Sequence, residues 1–301
     1  MTTAIHITRP RRVLPGFSLA WGYAVTWLSL IVLIPLAACV LKAGGLSAHE
    51  WALMLSDPRV RAALKVSFGT AAAAAAINAI VGLVIAWVLV RYQFWGRRLL
   101  DALVDFPFAL PTAVAGLTFS DLFVQSAHKT GWLAAVWNPL GDRVVSAVNW
   151  VYPGALAADS LHGVYTPFAI VLVLIFTGFP FVIRTVQPVL EDLEPEIEEA
   201  AASLGATRAQ TFWRVIFPTI LPAWLTGLGL AFARGIGEYG AVIFVSGNIR
   251  SRTEIVPVLI VEQLDQYKYA GATALAVVLL AGSAAVLLAI NLITVWRGRK
   301  R

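Results

Sequence analysis

From Phe17 to Leu41 the chain runs for 25 residues without a charged side chain, and the stretch from Val66 to Val90 does the same. A helix of roughly 20 apolar residues crosses the hydrocarbon of a bilayer. In that medium backbone polar groups have no water to turn to, so only helices and closed barrels can span it. Runs of this length therefore select spanning helices. The rest of the chain agrees: of 301 residues, 59% are hydrophobic and 13% charged, with a mean hydropathy of +0.77, too apolar for an ordinary soluble globule. The net charge of +6 comes from basic residues scattered between apolar runs, which suits membrane flanks rather than a nucleic-acid footprint. A single cysteine excludes an internal disulfide or a thiolate cluster, and four scattered histidines show no ligand spacing, so no metal site is expected.

The same reasoning predicts an all-α integral membrane protein with a single transmembrane domain over 1–301 and six spans, at about 17–41, 66–90, 102–124, 164–189, 219–245 and 270–296. In the second span, Gly69, Asn78 and Gly82 beside an alanine run present a slim surface suited to close helix packing. The third carries Pro107 and Pro111, four residues apart, which either kink a spanning helix or mark a helix start. Residues 126–163 are expected to form an extracytoplasmic insert. Its semi-apolar piece from Val144 to Ala158 is interrupted by Asn149 and Pro153 and too short to cross. Trp132, Trp137, Trp150 and Tyr152 suit a headgroup boundary, and the insert could meet a partner outside the membrane or act as a lid. An even number of spans places both termini on one side. On that topology 13 basic residues lie on the proposed inside and nine outside, with Arg234 in a span, so the termini are expected in the cytoplasm.

The long hydrophilic interruption of the second half, 191–218, then faces the cytoplasm. Six of the 17 acidic residues lie between Glu191 and Glu199. Pro195 suits a first helical position, with Glu196, Glu198 and Glu199 at the positive end of the helix dipole. Gly205 stops that helix. Thr207 and Gln210 have the spacing of a capping box for the next, whose far end Pro218 and Pro222 are expected to punctuate. Glu199-Ala200-Ala201, Gly205 and the Val215 to Pro218 run resemble the EAA loop of ABC-importer permeases, with Val215 and Phe217 in place of Ile and Leu. The resemblance implies that Glu199, Ala200, Ala201, Gly205 and Pro218 dock on a cytoplasmic ATP-hydrolysing subunit, the small residues allowing close approach.

A second constellation lies in the fifth span. Arg234 and Glu238 are four apart and can neutralise each other on one helix face. Intramembrane charges are expensive and mark either a pathway or a brace between helices or subunits, and both readings stand here. The stretch from Arg234 through Gly237, Glu238, Tyr239 and Gly240 to Asn248, like the Leu110 to Gly116 segment, resembles the sulfate and molybdate branch of the same permeases. That resemblance implies a six-helix type I importer fold in a bacterial inner membrane and a sulfate/thiosulfate substrate, with molybdate or tungstate as the rival. It implies two ATPase subunits, a second homologous permease and an extracytoplasmic sulfate-binding protein as partners. Arg234, Gly237, Glu238, Tyr239, Pro107 and Pro111 would line the pathway. No G-x-x-x-x-G-K-[ST] motif occurs, so ATP and Mg²⁺ are expected on the partner, and no cofactor or catalytic group on this chain. A stand-alone membrane enzyme or channel is the reading from another class.

Overall fold

The computed structural model describes residues 17–126, 129–151, 154, 156–157 and 159–298. The expectations for Tyr152 and Pro153, and for the terminal charges Arg9, Arg11, Arg12, Arg299, Lys300 and Arg301, lie outside the described residues. Among those described, the only β feature is an isolated bridge between Gln125 and Thr130. Five helices are long and apolar enough to cross a membrane: α1 (Leu19–Ala43), α3 (Pro58–Arg91), α8 (Pro167–Glu191), α10 (Arg208–Ile236) and α13, apolar over Tyr269–Thr294. Between them lie α2 (Ala48–Ser56), α4 (Arg97–Val104), α5 (Phe106–Ala109), α6 (Thr112–Phe123), α7 (Trp132–Val151), α9 (Pro195–Ser203), α11 (Val242–Ser246) and α12 (Val256–Asp265).

The core is the three-helix contact of α3, α8 and α10. The buried face of α3 repeats every three or four residues through Ala63, Ser67, Ala71, Ala74, Asn78 and Gly82. That small-residue stripe is what lets helices approach when lipid offers no hydrophobic drive. Gly82 meets Val182, where an added Cβ would stand 2.9 Å from the valine Cβ, and Gly227 meets the backbone of Val182 at 2.7 Å by the same test. Two hydrogen bonds cross the seam: Asn78 Nδ2 donates to the Ile175 carbonyl at 3.1 Å and Trp224 Nε1 to that of Ala79 at 2.7 Å. Asn78 is thus an interhelical tie. Gly69 lies outside the seam, with nothing within contact of an added Cβ. Outward faces are apolar, as on α1, where Leu30, Ile31 and Leu33 are all exposed; this is the perimeter that a bilayer covers.

Several boundaries differ from the sequence-based expectation, each for a local reason. The second span starts at Pro58, not 66, because Asp57 caps it, its carboxylate accepting the Arg59 N–H at 2.8 Å with Pro58 in the first turn. Pro218 and Pro222 do not end a short helix; both lie inside α10. A π-helical turn at Phe212–Ile216, with the Phe217 N–H reaching back to the Phe212 carbonyl, stands immediately before Pro218. A second π turn, Ser29–Leu33, stands in the same relation to Pro35. Widening the turn accommodates a ring with no donor without breaking the helix. The third and fifth spans, expected as continuous over 102–124 and 219–245, are interrupted. The insert holds a 20-residue helix, α7, continuing through Pro139 and Asn149. Asn149 bonds both the carbonyl and the N–H of Leu156, so a residue read as a breaker instead ties down the following loop.

At the end of the bundle away from α9, Arg59 clamps two carboxylates. It forms bonds of 2.9 and 2.6 Å to Glu254, whose side chain is 2% exposed, and an ion pair with Glu262. Arg59→Ala is expected to cost about 3–5 kcal/mol, since it strands a buried charge. A thermal transition of the purified protein no lower than wild type would contradict this. Hydrogen bonding to Arg59 holds the Glu262 carboxyl below its ordinary value of 4.5. Its contribution is therefore complete above pH 4.5 and is lost only as pH falls through the lower folded value. Thermal stability measured from pH 8 down to 5 should show no step from Glu262.

Candidate functional site

The hydrophilic loop folds as its local signals require. Pro195 opens α9 behind Glu194, with Glu196 and Glu198 in the first turn. The helix closes through Gly205 at φ +81°, whose N–H donates to the Ala202 carbonyl at 2.9 Å while that of Ala206 reaches Ala201 at 3.1 Å, a left-handed C-terminal cap. Nothing surrounds the Cα of Gly205 within contact of an added Cβ, so the backbone sign, not crowding, calls for glycine there. Thr207 and Gln210 form the reciprocal capping box at the start of α10. Glu199 and Ala200 are exposed, Ala201 is half-buried, and Leu204 at the loop tip is 88% exposed. Pro218 does not share that surface, lying up the helix behind the π turn.

A residue counted in the sequence only among the 13 inside basic charges fastens this loop. Arg91, the last residue of α3, pairs with Glu198 and lies 5.2 Å over the ring of Trp87. Trp87 in turn packs edge-on against Phe212, at 5.5 Å. The loop is thereby fastened to the end of a core helix. A cavity of about 370 Å³ lined by Trp87, Glu198, Glu199, Ala202, Arg208 and Phe212 opens beside the joint. With Arg91 and Glu198 107 positions apart, no local pattern announces this pair.

The membrane charges meet as expected, but not on a regular helix face. α10 ends at Ile236 with Gly237 as its cap, and Glu238 turns back from the irregular segment beyond. Its carboxylate pairs with Arg234 and accepts the Ala241 N–H at 2.9 Å. The side chain of Glu238 is 2% exposed and that of Arg234 35%. The acid is thus sealed in the protein while the guanidinium keeps an open side. A void of about 10 Å³, the size of one water, separates Glu238 from Ser67 and Thr70. Tyr239 is exposed, and Gly237 lies in open space.

Pro107 and Pro111 divide the third segment into helix starts. Pro107 opens α5, and Pro111 is the N-terminal cap of α6, following Leu110 at ψ 131°. Proline disfavours helical geometry in the residue before it, which accounts for the break. The two interrupted segments then pack on each other: an added Cβ on Gly116 would overlap the Ala241 carbonyl, and one on Gly240 the Thr112 hydroxyl. The structure therefore brings the Pro111 end of α6 to the Gly237 to Ala241 turn. Pro107 stands apart, on an element packed against α8 through Phe108 and Phe181, 5.4 Å between rings.

Residues 78–299 match the family model of "Binding-protein-dependent transport system inner membrane component". The chain is 43% identical over 290 residues, covering 96% of each chain, to the sulfate transport system permease protein CysT of Escherichia coli K12. It is 41% identical over 306 residues to the protein of the same name from Synechocystis, covering all of this chain and 99% of that one. Its fold matches a chain in the crystal structure of a bacterial alginate ABC transporter in complex with its alginate-bound periplasmic protein, with a TM-score of 0.67 at 14% identity over 92% of this chain and 93% of that one.

Gly205→Val forces a branched side chain into left-handed backbone, costing about 1–2 kcal/mol at the cap. In a complex assembled with its ATPase, transport is expected to fall at least tenfold while assembly persists, with Gly205→Asn intermediate. Full transport by the valine variant, measured by uptake into proteoliposomes, would contradict a coupling role for this cap.

Proposed function

Since this chain belongs to the binding-protein-dependent transport system inner membrane components, we propose that it is the translocation subunit of an ATP-driven sulfate and thiosulfate importer. The observation that carries the substrate is the identity of 41–43% along nearly the whole length of permeases named for sulfate. The subunit performs no covalent chemistry. ATP and its Mg²⁺ belong to two partner ATPase subunits. A second, homologous permease completes the membrane core, and an extracytoplasmic binding protein delivers the anion. The inner membrane is its site, with both termini and α9 on the cytoplasmic side.

Motion enters through α9. Glu199, Ala200, Ala201 and the exposed Leu204 present the surface that the ATPase grips, and the Arg91–Glu198 pair passes its displacement directly to α3. Pro218 and the π turn next to it give α10 a place to bend. Alternating access follows as α3, α8 and α10 shift against the partner permease. Arg234, with its open side, faces the path, flanked by Tyr239, Gly237 and the Pro111 break. Glu238 holds the guanidinium in place and keeps the path neutral while no anion is present. Pro107 acts at the edge of this region, where α5 meets α8.

Uptake of labelled sulfate by proteoliposomes holding the complete complex tests the reading: excess unlabelled sulfate should abolish uptake and equimolar molybdate should not. Preferential block by molybdate would transfer the assignment to that oxyanion, and uptake without ATP hydrolysis would overturn an ATP-driven importer altogether. Arg234→Gln strands the buried Glu238 and should destabilise the protein, whereas Arg234→Gln with Glu238→Gln should restore stability. If Arg234 faces the anion, the stable double variant still transports at under a tenth of the wild-type rate. Recovery of transport together with stability would reduce the pair to a brace.

A further inference from the structure

We infer that α7 is an interfacial anchor that lies along the bilayer surface, at the end of the bundle away from α9, with its outward face among the lipid headgroups and upper acyl chains. The helix has a protein side and a free side. Ala134, Asn138, Gly141 and Val145, at spacings of four, three and four, are buried. Gly141 packs on Leu161, and Asn138 donates to Gln125 at 2.7 Å. Opposite them stand Trp132 and Trp150, 66% and 86% exposed. Eighteen residues at 100° each make five whole turns, so both indoles leave the helix on the same side, about 27 Å apart. Between them the free side carries Val136, Leu140 and Val144, all exposed, with Arg143 the one charge.

Depth follows from the third tryptophan. Trp137 faces the protein, stacked on Phe168 with ring centroids 5.6 Å apart and planes within 2°, and its Nε1 donates to the Leu161 carbonyl at 2.9 Å. Phe168 is the second residue of α8, the point where that span enters its apolar stretch. The middle of α7 therefore sits at the height where hydrocarbon gives way to headgroups. Its free side continues the apolar perimeter of α6, on which it packs and where Val114 and Leu117 are exposed. Tryptophans at both ends of an apolar helix face favour this boundary, and the Arg143 stem can lie along the acyl chains while its head reaches a lipid phosphate. The polar edge is at Asp142 and Ser146, with Asp142 paired to His162 at 3.0 Å.

The inference does not depend on the substrate. Its test is nitroxide labelling of the assembled complex in lipid nanodiscs, in a Cys39→Ser background, at Val136→Cys or Leu140→Cys on the free side and Ser146→Cys on the polar edge. Collisions with oxygen at positions 136 and 140 are expected to exceed those with a water-soluble nickel chelate several-fold, and the order should reverse at 146. Equal nickel access at 136 and 140 would place that face in water. Exclusion of both reagents there would place it against the second permease, and a change on adding the binding protein would make it that protein's dock. Each of these three results overturns the anchor.

Discussion

Where no water is at hand, a break in a helix survives only if protein covers the backbone groups it releases, and the region around Arg234 rests on two such breaks covering each other. Leu110 and Pro111 interrupt one segment and Gly237 to Ala241 another. They close together through Gly116 on Ala241 and Gly240 on Thr112, at distances that tolerate no Cβ. Glu238 completes the closure by accepting the Ala241 N–H while it neutralises Arg234. The turn holds the charge pair, and the charge pair holds the turn.

Small residues at the seam of α3, α8 and α10 keep the backbones close, and Val182, Ile183, Ile220 and Phe232 fill the space between them. Directional ties at Asn78 and Trp224 set the register. At one end the Arg91–Glu198 pair fastens the acidic loop to α3, and at the other Arg59 gathers Glu254 and Glu262. The joint at Arg91 is electrostatic and aromatic, so α9 is fastened to the end of a core helix and not hung on a flexible linker.

Much of this was legible in the chain itself. Charge-free runs announced the spans, and Pro195, Gly205 and the Thr207–Gln210 box placed α9 and the start of α10, because caps are local chemistry. The motif residues also led to the right family, now supported by the match of residues 78–299. Residue type alone misleads at some positions: Pro218 has the signature of a helix stop, yet a π turn carries the helix past it. Asn149 has the signature of a breaker, yet it ties down the loop that follows α7.

The division has a physical basis. Sequence by itself determined what the nearest few residues decide: which stretches are apolar enough for lipid, where a helix begins, and which glycine takes positive φ. Only the tertiary structure decided which distant groups meet, such as Arg91 with Glu198 across 107 residues, or the two broken segments with each other. Those meetings depend on the shape of a helix seam, a sum over many weak contacts spread along three helices that no window of neighbouring residues contains.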